Sequence, residues 1–542
     1  MPQSEDDDED GSWYDMQFGA HSDIARQHFS GNPMYGVWAG GRRQKRKKQP
    51  TPWCGDLQSD QPMKRWRHPA DKSPYLQLLH RASSVPEGHR DAKLFRRRFR
   101  LPFKVFDDLY QRARVSGEKW ATTKMEQDGS GRGAYAQPLR NKVLAALRIL
   151  GRGLDYDTVA WESGISESLI KKFFPPFMLW MATHVFAAEV RLPQGQELKD
   201  ALHVYQQLGL PGCVCSVDGV HVAWDACPAS DRNLHVGKEG YPTKAFNVCV
   251  LHTREIIHVA GPVAGATNDL TQAAYDDFLQ QLKMGTFGAG VTYKLYLADG
   301  SERVVSGLYA ICDNGYHHWR CLMPPIKYAS SCCWSRHVES VRKDSECTFG
   351  VLKKRFRVLR LPMNYRLEGL VGAVFKACCA LHNILLRHDG LSTLGHYPSD
   401  WKKLSAEQMQ AEWLARGARN RAPCTTPATC EAAHEKDSGF DSRRLELIAH
   451  FTQHIQRNGL SWPKKRGACR PLPSAPVTRR ARDAGVSDGV ESDGLAQSDG
   501  DVRESDDASG ESDGEGVSDS GWVSPASAGH SMDEEAEDCS SR

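Results

Sequence analysis

Apolar positions recur with two different periods along the chain, and the change of period divides it. Over residues 91–195 the spacing is helical. Phe95, Phe99, Phe103 and Phe106 recur within a run rich in Arg (Arg96, Arg97, Arg98, Arg100), so one face packs and the other is basic. Pro138 opens a helix predicted over 139–150, with Val143, Leu144, Leu147 and Leu150 on one stripe and Gly151 and Gly153 ending it. Asp155 is placed to cap a helix over 156–162. Ser163-Gly164 makes a turn, and Ser166 caps a helix through Phe174. A helix, a Gly-containing turn and a helix carrying Lys171 and Lys172 outline a helix-turn-helix. A small helical packing unit has the same pattern.

From about 205 to 390 the pattern becomes α/β. Strands are predicted over 213–224, 245–252 and 256–264, with Thr253-Arg254-Glu255 turning between the last two. A helix over 271–284 follows, then strands over 293–297 and 308–312, a long helix over 336–359 and another over 369–387. Three leading strands, a helix, a further strand and then helices is the order expected of a ribonuclease-H-like sheet. Residues 391–480 form a helical extension with short helices over 406–415 and 443–457, the latter striped by Leu447, Ile448, Phe451 and Ile455. Residues 1–90 and 481–542 lack apolar periodicity and are expected to be disordered. The second of these is a degenerate Ser-Asp-Gly array, as in Ser487-Asp488-Gly489 and Ser512-Asp513-Gly514.

Charge sharpens this division. The formal net charge of the 542 residues is only +3. Residues 481–542 hold 18 acids against 3 Arg, a net of −15, and residues 1–10 hold 6 acids, which leaves +24 on 11–480. A basic body with acidic ends points to a polyanionic partner. The run Arg42-Arg43-Gln44-Lys45-Arg46-Lys47-Lys48 reads as a nuclear import signal or a nucleic-acid contact, against a merely solvated run. The acidic N-terminus does not resemble a secretory signal. The most apolar stretch, 369–386, is interrupted by Lys376 and His382 and is not expected to span a membrane. The 16 Cys are scattered without a CxxC pair and read as reduced, core-filling thiols of a nuclear or cytosolic protein.

Three acids in the α/β segment carry the chemistry. Asp218 lies inside the apolar strand as Val217-Asp218-Gly219-Val220-His221. Asp313 ends a strand as Ile311-Cys312-Asp313-Asn314-Gly315-Tyr316, and Glu346 lies on the long helix. A half-buried carboxylate is costly unless it is paired or bound to metal. Rigid strands and a crossing helix can present two Asp and a Glu to a pair of Mg²⁺ or Mn²⁺ ions, which take hard oxygen ligands. Arg342, Lys343, Lys353, Lys354 and Arg355 surround Glu346 and are candidates for contacting DNA phosphates.

Other acids and ligand types offer rival assignments. Asp269 in Gly265-Ala266-Thr267-Asn268-Asp269 reads as a structural or substrate-positioning acid, with direct catalysis as the rival. Asp299 reads as a solvated turn residue, and Glu339 lacks a surrounding motif. His221 falls on the strand face opposite Asp218, which favours a hydrogen-bonded or DNA-facing role over a metal ligand. His382-Asn383 reads as a packed, hydrogen-bonded pair. His317, His318, Cys321, Cys332, Cys333 and His337 cluster in sequence but fit no standard zinc spacing.

The segments CSVDGVHVAW, GATNDL, ICDNGYHHW, SVRKDSECTFGVLKKRFRVL and CCALHNILL occur in that order. Together they resemble the catalytic domain of PIF/Harbinger transposases and of their domesticated, nuclease-like descendants. The resemblance implies a ribonuclease-H-like DDE domain over 205–390 with Asp218, Asp313 and Glu346 as the triad. Asn314 departs from the Gly or Ser frequent in the family. The function so implied is metal-dependent cleavage of DNA phosphodiester bonds with strand joining as an extension. The alternative is a catalytically silent nuclear DNA-binding or scaffold protein. Family members often depend on a Myb-like partner for DNA recognition; the resemblance leaves that open here as an alternative to DNA contact by a helix-turn-helix at 139–174.

Overall fold

The computed structural model describes residues 73–121, 137–326, 333–405, 407–408, 411 and 434–463. The chain divides at Pro473, and all described residues belong to the first unit. The basic run 42–48, Cys332, most of 406–415 and the Ser-Asp-Gly array lie outside the described residues.

The helical region begins with α1 (Pro74–Ser83), α2 (Arg90–Phe99) and α3 (Phe103–Arg114). Phe95, Phe99 and Phe106 are fully buried, and the Phe95 and Phe99 rings lie 4.9 Å apart. The Arg-rich face is not all solvated, because Arg96 pairs with Asp389 at 2.7 Å. Helix α4 (Leu139–Arg152) ends on Gly153, whose φ of 64° suits a residue without Cβ. Asp155 accepts from the Thr158 amide at 2.7 Å and caps α5 (Tyr156–Ser163). Ser166 accepts from the Leu169 amide at 3.4 Å and caps α6 (Glu167–Trp180).

Helix α6 does not stop at Phe174. It runs through Pro175 and Pro176, then into a π turn (Met181–Val185) and one further turn (Phe186–Glu189). Burial of Phe173, Phe174, Phe177, Met178 and Trp180 around the two prolines outweighs the missing amide donors. Helix α7 (Gly195–Gln207) leads into the sheet.

The sheet has five strands in the order β3-β2-β1-β6-β7. Strands β1 (Cys213–Ala223), β2 (Thr243–Val250) and β3 (Ile256–Ala264) are antiparallel neighbours. Two short helices follow, α8 (Asp269–Tyr275) and α9 (Asp277–Met284), where a single helix was expected; Asp276 caps the second of them. The strand expected at 293–297 is β4 (Thr292–Tyr296). It pairs with β5 (Glu302–Ser306) as a separate hairpin, turned at Gly300 with φ 84°, and does not join the sheet. Strands β6 (Tyr309–Ile311) and β7 (Leu322–Met323) complete the sheet in parallel with β1.

Helix α10 (Cys333–Arg355) starts earlier than expected and ends at Phe356, whose backbone is extended; Arg357–Arg360 form a separate 3-10 turn. Helix α11 (Glu368–His388) is long and apolar enough in composition to cross a membrane, but 83% of its most apolar window is covered by protein. Strand β8 (Trp401–Leu404), helix α12 (Phe440–Asn458) and strand β9 (Leu460–Pro463) follow, with β8 and β9 pairing antiparallel.

The alternation along β1 sets the packing. Val220 and Val222 join one apolar cluster with α11, the end of α10 and the N-terminal helices, while Cys215 and Val217 face α8 and α9. Phe246 of β2 stacks on Phe375 of α11 at 4.1 Å. The Asn383 amide holds the edge of β3, with Oδ1 accepting from the Ile256 amide and Nδ2 donating to the Ile256 carbonyl. His382 beside it lies 2.9 Å from the Arg254 carbonyl, so both are packed, hydrogen-bonded residues.

Candidate active site

Asp218 sits at the middle of β1, opposite Val248 of β2, on the strand face shared with Val220 and Val222. Its Oδ1 accepts from the Gly219 amide at 3.0 Å. Asp313 follows β6, and its Oδ1 accepts from the Gly315 amide at 2.8 Å. The parallel pairing of β1 with β6 brings these two Asp to neighbouring strands. Helix α10 packs on β1 and supplies Glu346, which is 50% exposed, whereas the Asp218 side chain is 17% exposed.

Electrostatics report the convergence of the three. Burial pushes the Asp218 carboxyl up to about 6. Arg342 opposes that shift, and the negative charges of Asp313 and Glu346 add to it. Arg342, one turn before Glu346, lies between the acids. Its Nη1 is 3.3 Å from Asp218 Oδ2 and its Nη2 is 2.9 Å from Glu346 Oε1.

A fourth acid joins them. Asp269 opens α8, and its carboxylate lies over two glycines. A Cβ at Gly219 would come 3.1 Å from Asp269 Oδ1, and one at Gly315 would come 3.1 Å from Asp269 Oδ2 and 3.0 Å from Asp313 Oδ1. Burial and the Asp313 charge raise its pKa. The sequence places Asp269 as a structural or substrate-positioning acid; the local signal for its close approach is a Gly one or two residues after each of Asp218 and Asp313.

The Asp313 loop is anchored from both sides. Tyr316 donates to Asn247 Oδ1 at 2.6 Å, and Asn247 Nδ2 donates to Asp276 Oδ2 at 2.5 Å. Sequence reading missed Asn247, although a polar residue in a strand whose every position is buried needs a partner. From outside, residues 434–437 hold the loop. His318 donates its amide to the Glu435 carbonyl, and Arg320 donates its amide to Asp437 Oδ2 at 2.8 Å. Trp319 Nε1 donates to Glu435 Oε2 at 2.9 Å.

The bases around Glu346 have different surroundings. Lys354 is exposed and Lys343 is half-buried. Lys353 donates to the His221 carbonyl at 3.4 Å, and burial lowers its pKa. Arg355 turns inward to His382 Nδ1 at 3.2 Å, and burial lowers its pKa too. His221 itself bonds Thr243 Oγ1 at 2.9 Å. Glu339 is exposed, and Asp299 accepts from the Ser301 amide at 2.9 Å in an exposed turn.

The histidines of 317–337 are explained by packing. His317 stacks on Trp319 at 4.8 Å, and His318 stacks on Phe440 at 4.8 Å. His337 is fully buried, and burial pushes its pKa down to about 3 against the opposing hydrogen bond to the Leu208 carbonyl at 2.7 Å. Among the described residues, the His/Cys/Asp/Glu trio with ligand atoms all within 4.8 Å is His258, Asp276 and Asp277. That trio is committed elsewhere: Asp276 Oδ1 accepts from the Phe278 and Leu279 amides, and its Oδ2 accepts from Asn247. Asp218, Asp313 and Glu346 are more widely set, with a guanidinium in their midst.

Residues 187–392 match the family described as plant transposon protein. Neither the curated proteins nor the solved structures returned a match. The stretch that carries all four acids and Arg342 is thus similar to plant transposon proteins.

Proposed function

We propose that the chain is a divalent-metal-dependent DNA-cleaving enzyme of the DDE, PIF/Harbinger type, acting on phosphodiester bonds and joining strands. One observation carries the reading. Three carboxylates from β1, the end of β6 and α10 converge, and one of them is buried enough to hold its proton up to about 6. Carboxylates desolvated and set beside like charges are characteristic of functional sites. The donors are all oxygen, which suits Mg²⁺ or Mn²⁺.

Asp218, Asp313 and Glu346 would hold the metal, which when bound supplies Lewis-acid activation of a water or 3′-hydroxyl and of the leaving oxygen. Asp218 sits on a strand and Asp313 just past the end of another, so the sheet sets their positions; Glu346 is the exposed arm. Asp269 would position the loop that carries Asp313 against β1, through its place over Gly219 and Gly315. Lys343 and Lys354 are the bases near Glu346 best placed to meet phosphate. The five-strand order, antiparallel and then parallel, supports a ribonuclease-H-like sheet. The α5–α6 pair, with exposed Lys171 and Lys172, supports a helix-turn-helix, and a nuclear setting with a Myb-like partner belongs to the same reading.

The test uses purified full-length protein with Mg²⁺ or Mn²⁺ and terminal-inverted-repeat DNA. Nicking or cutting is expected, and Asp218→Ala, Asp313→Ala and Glu346→Ala should each abolish it. Full activity in those variants would overturn the mechanism. Intact DNA binding without carboxylate-dependent metal binding would establish the silent DNA-binding reading instead.

A further inference from the structure

Arg342 is the residue whose surroundings fit its sequence assignment least. A base one turn before Glu346 on a basic helix looks like a phosphate contact. Its guanidinium is instead only 18% exposed and is directed to two carboxylates, one on its own helix and one across on β1. Its Nε is buried and has no hydrogen-bond partner, so the Nη ends alone hold it. An ordinary helix pair at i,i+4 explains the Glu346 contact, though Arg preceding Glu is the weaker order. It does not explain the arm to Asp218, which belongs to another element.

Lys353 and Arg355, two bases further along the helix, are committed elsewhere. The first is tied to the His221 carbonyl and the second to His382. Arg342 is the base that the structure pairs with Asp218 and Glu346. A planar guanidinium with several donors is well shaped to span two carboxylates from different elements.

We propose that Arg342 is a resident counter-cation of the acid cluster, occupying Asp218 and Glu346 until a divalent cation takes them, and so competing with that cation for the site. The inference rests on the metal reading of the trio and adds to it a control on loading. With the metal absent, Arg342 keeps two converging carboxylates from repelling each other and keeps the site closed to adventitious cations. On loading, Arg342 gives up both acids and becomes a free positive charge beside Glu346, where a phosphate would need one.

The test is calorimetric titration of Mn²⁺ into metal-free full-length protein, without DNA, for the wild type, Arg342→Gln, Arg342→Lys and Asp218→Asn. Arg342→Gln should bind Mn²⁺ at least about tenfold more tightly than the wild type, because no charge-assisted pair has to be broken. Arg342→Lys keeps the charge but loses the two-ended grip, and should fall between them. The thermal midpoint should be lowered in metal-free Arg342→Gln and recover by a larger increment with Mn²⁺ than the wild type gains. Should Arg342→Gln fail to fold, the Arg342→Lys affinity decides. Equal or weaker Mn²⁺ binding by the Arg342 variants, with Asp218→Asn defective, would overturn the competition and leave the metal site standing. Mn²⁺ binding unchanged in Asp218→Asn, or absent in the wild type, would overturn the metal reading itself and the inference with it.

Discussion

Tyr316 donates its hydroxyl to the side-chain oxygen of Asn247 at 2.6 Å, across 69 residues of sequence. Both are buried, and the bond fastens the loop after Asp313 to the middle of the sheet. Tyr316→Phe leaves Asn247 Oδ1 buried without a donor, so unfolding by urea should show a loss of about 1–3 kcal/mol. DNA cleavage by the folded variant should fall as well, since Asp313 is then held by one anchor less.

Asp269 should behave differently from the trio. Its carboxylate packs on Gly219 and Gly315, between the strand acids. Asp269→Asn retains the shape and removes the charge. Cleavage should drop by about 10–100-fold and remain measurable, the scale of a group that orients ligands without being one. A loss as complete as that of Asp218→Ala would make Asp269 a ligand in its own right.

The raised pKa of Asp218 gives two pH signatures of known sign. Its carboxyl is held at about 6 against an ordinary 3.8, so the folded state keeps a proton that the unfolded chain releases between these values. Metal-free stability contributed by this group is therefore present below about 4 and is lost as pH rises through 6, by up to about 3 kcal/mol. Asp218→Asn should remove that slope in urea unfolding followed from pH 4 to 7. Mn²⁺ affinity should run the opposite way, weakening by about tenfold per pH unit below 6 as the proton competes for the same oxygen.

Asn383 is a stability residue and should not affect cleavage directly. Its amide bonds both backbone groups of Ile256 and the Glu189 carbonyl from a wholly buried position. Asn383→Ala should lower stability by about 2–4 kcal/mol in equilibrium unfolding, with the cleavage rate per folded molecule unchanged.

Much of this was legible in the sequence where one residue type settles a local question. Asp155 and Ser166 announced their helix starts because a side-chain oxygen there answers an orphan amide. Asp218 stood out because a carboxylate among Val and Cys has to be accounted for. The parts that were not legible depend on distant neighbours. Strand β5 reads Glu-Arg-Val-Val-Ser and is exposed over most of its length, so no alternation marks it. The β8–β9 pair joins Trp401–Leu404 to Leu460–Pro463, and nothing local in either announces the other. Arg342 and Arg355 look alike in a basic run; which of them meets carboxylates and which meets His382 is decided by how α10 is rotated against β1. The prolines of α6 read as a stop, and only the burial of the aromatic residues beside them carries the helix on.

The hold of residues 434–437 on the Asp313 loop reaches beyond geometry to biosynthesis. A ribosome makes all four acids well before it makes Glu435 and Asp437, so a nascent chain has its carboxylates before it has the outer brace of the loop that carries one of them. On the proposed function, the site would thus mature late, after nearly all of the described residues have been made. The same logic warns against expressing the family-matched stretch alone: a fragment ending at residue 392 lacks the brace, whereas one ending at Pro463 keeps it.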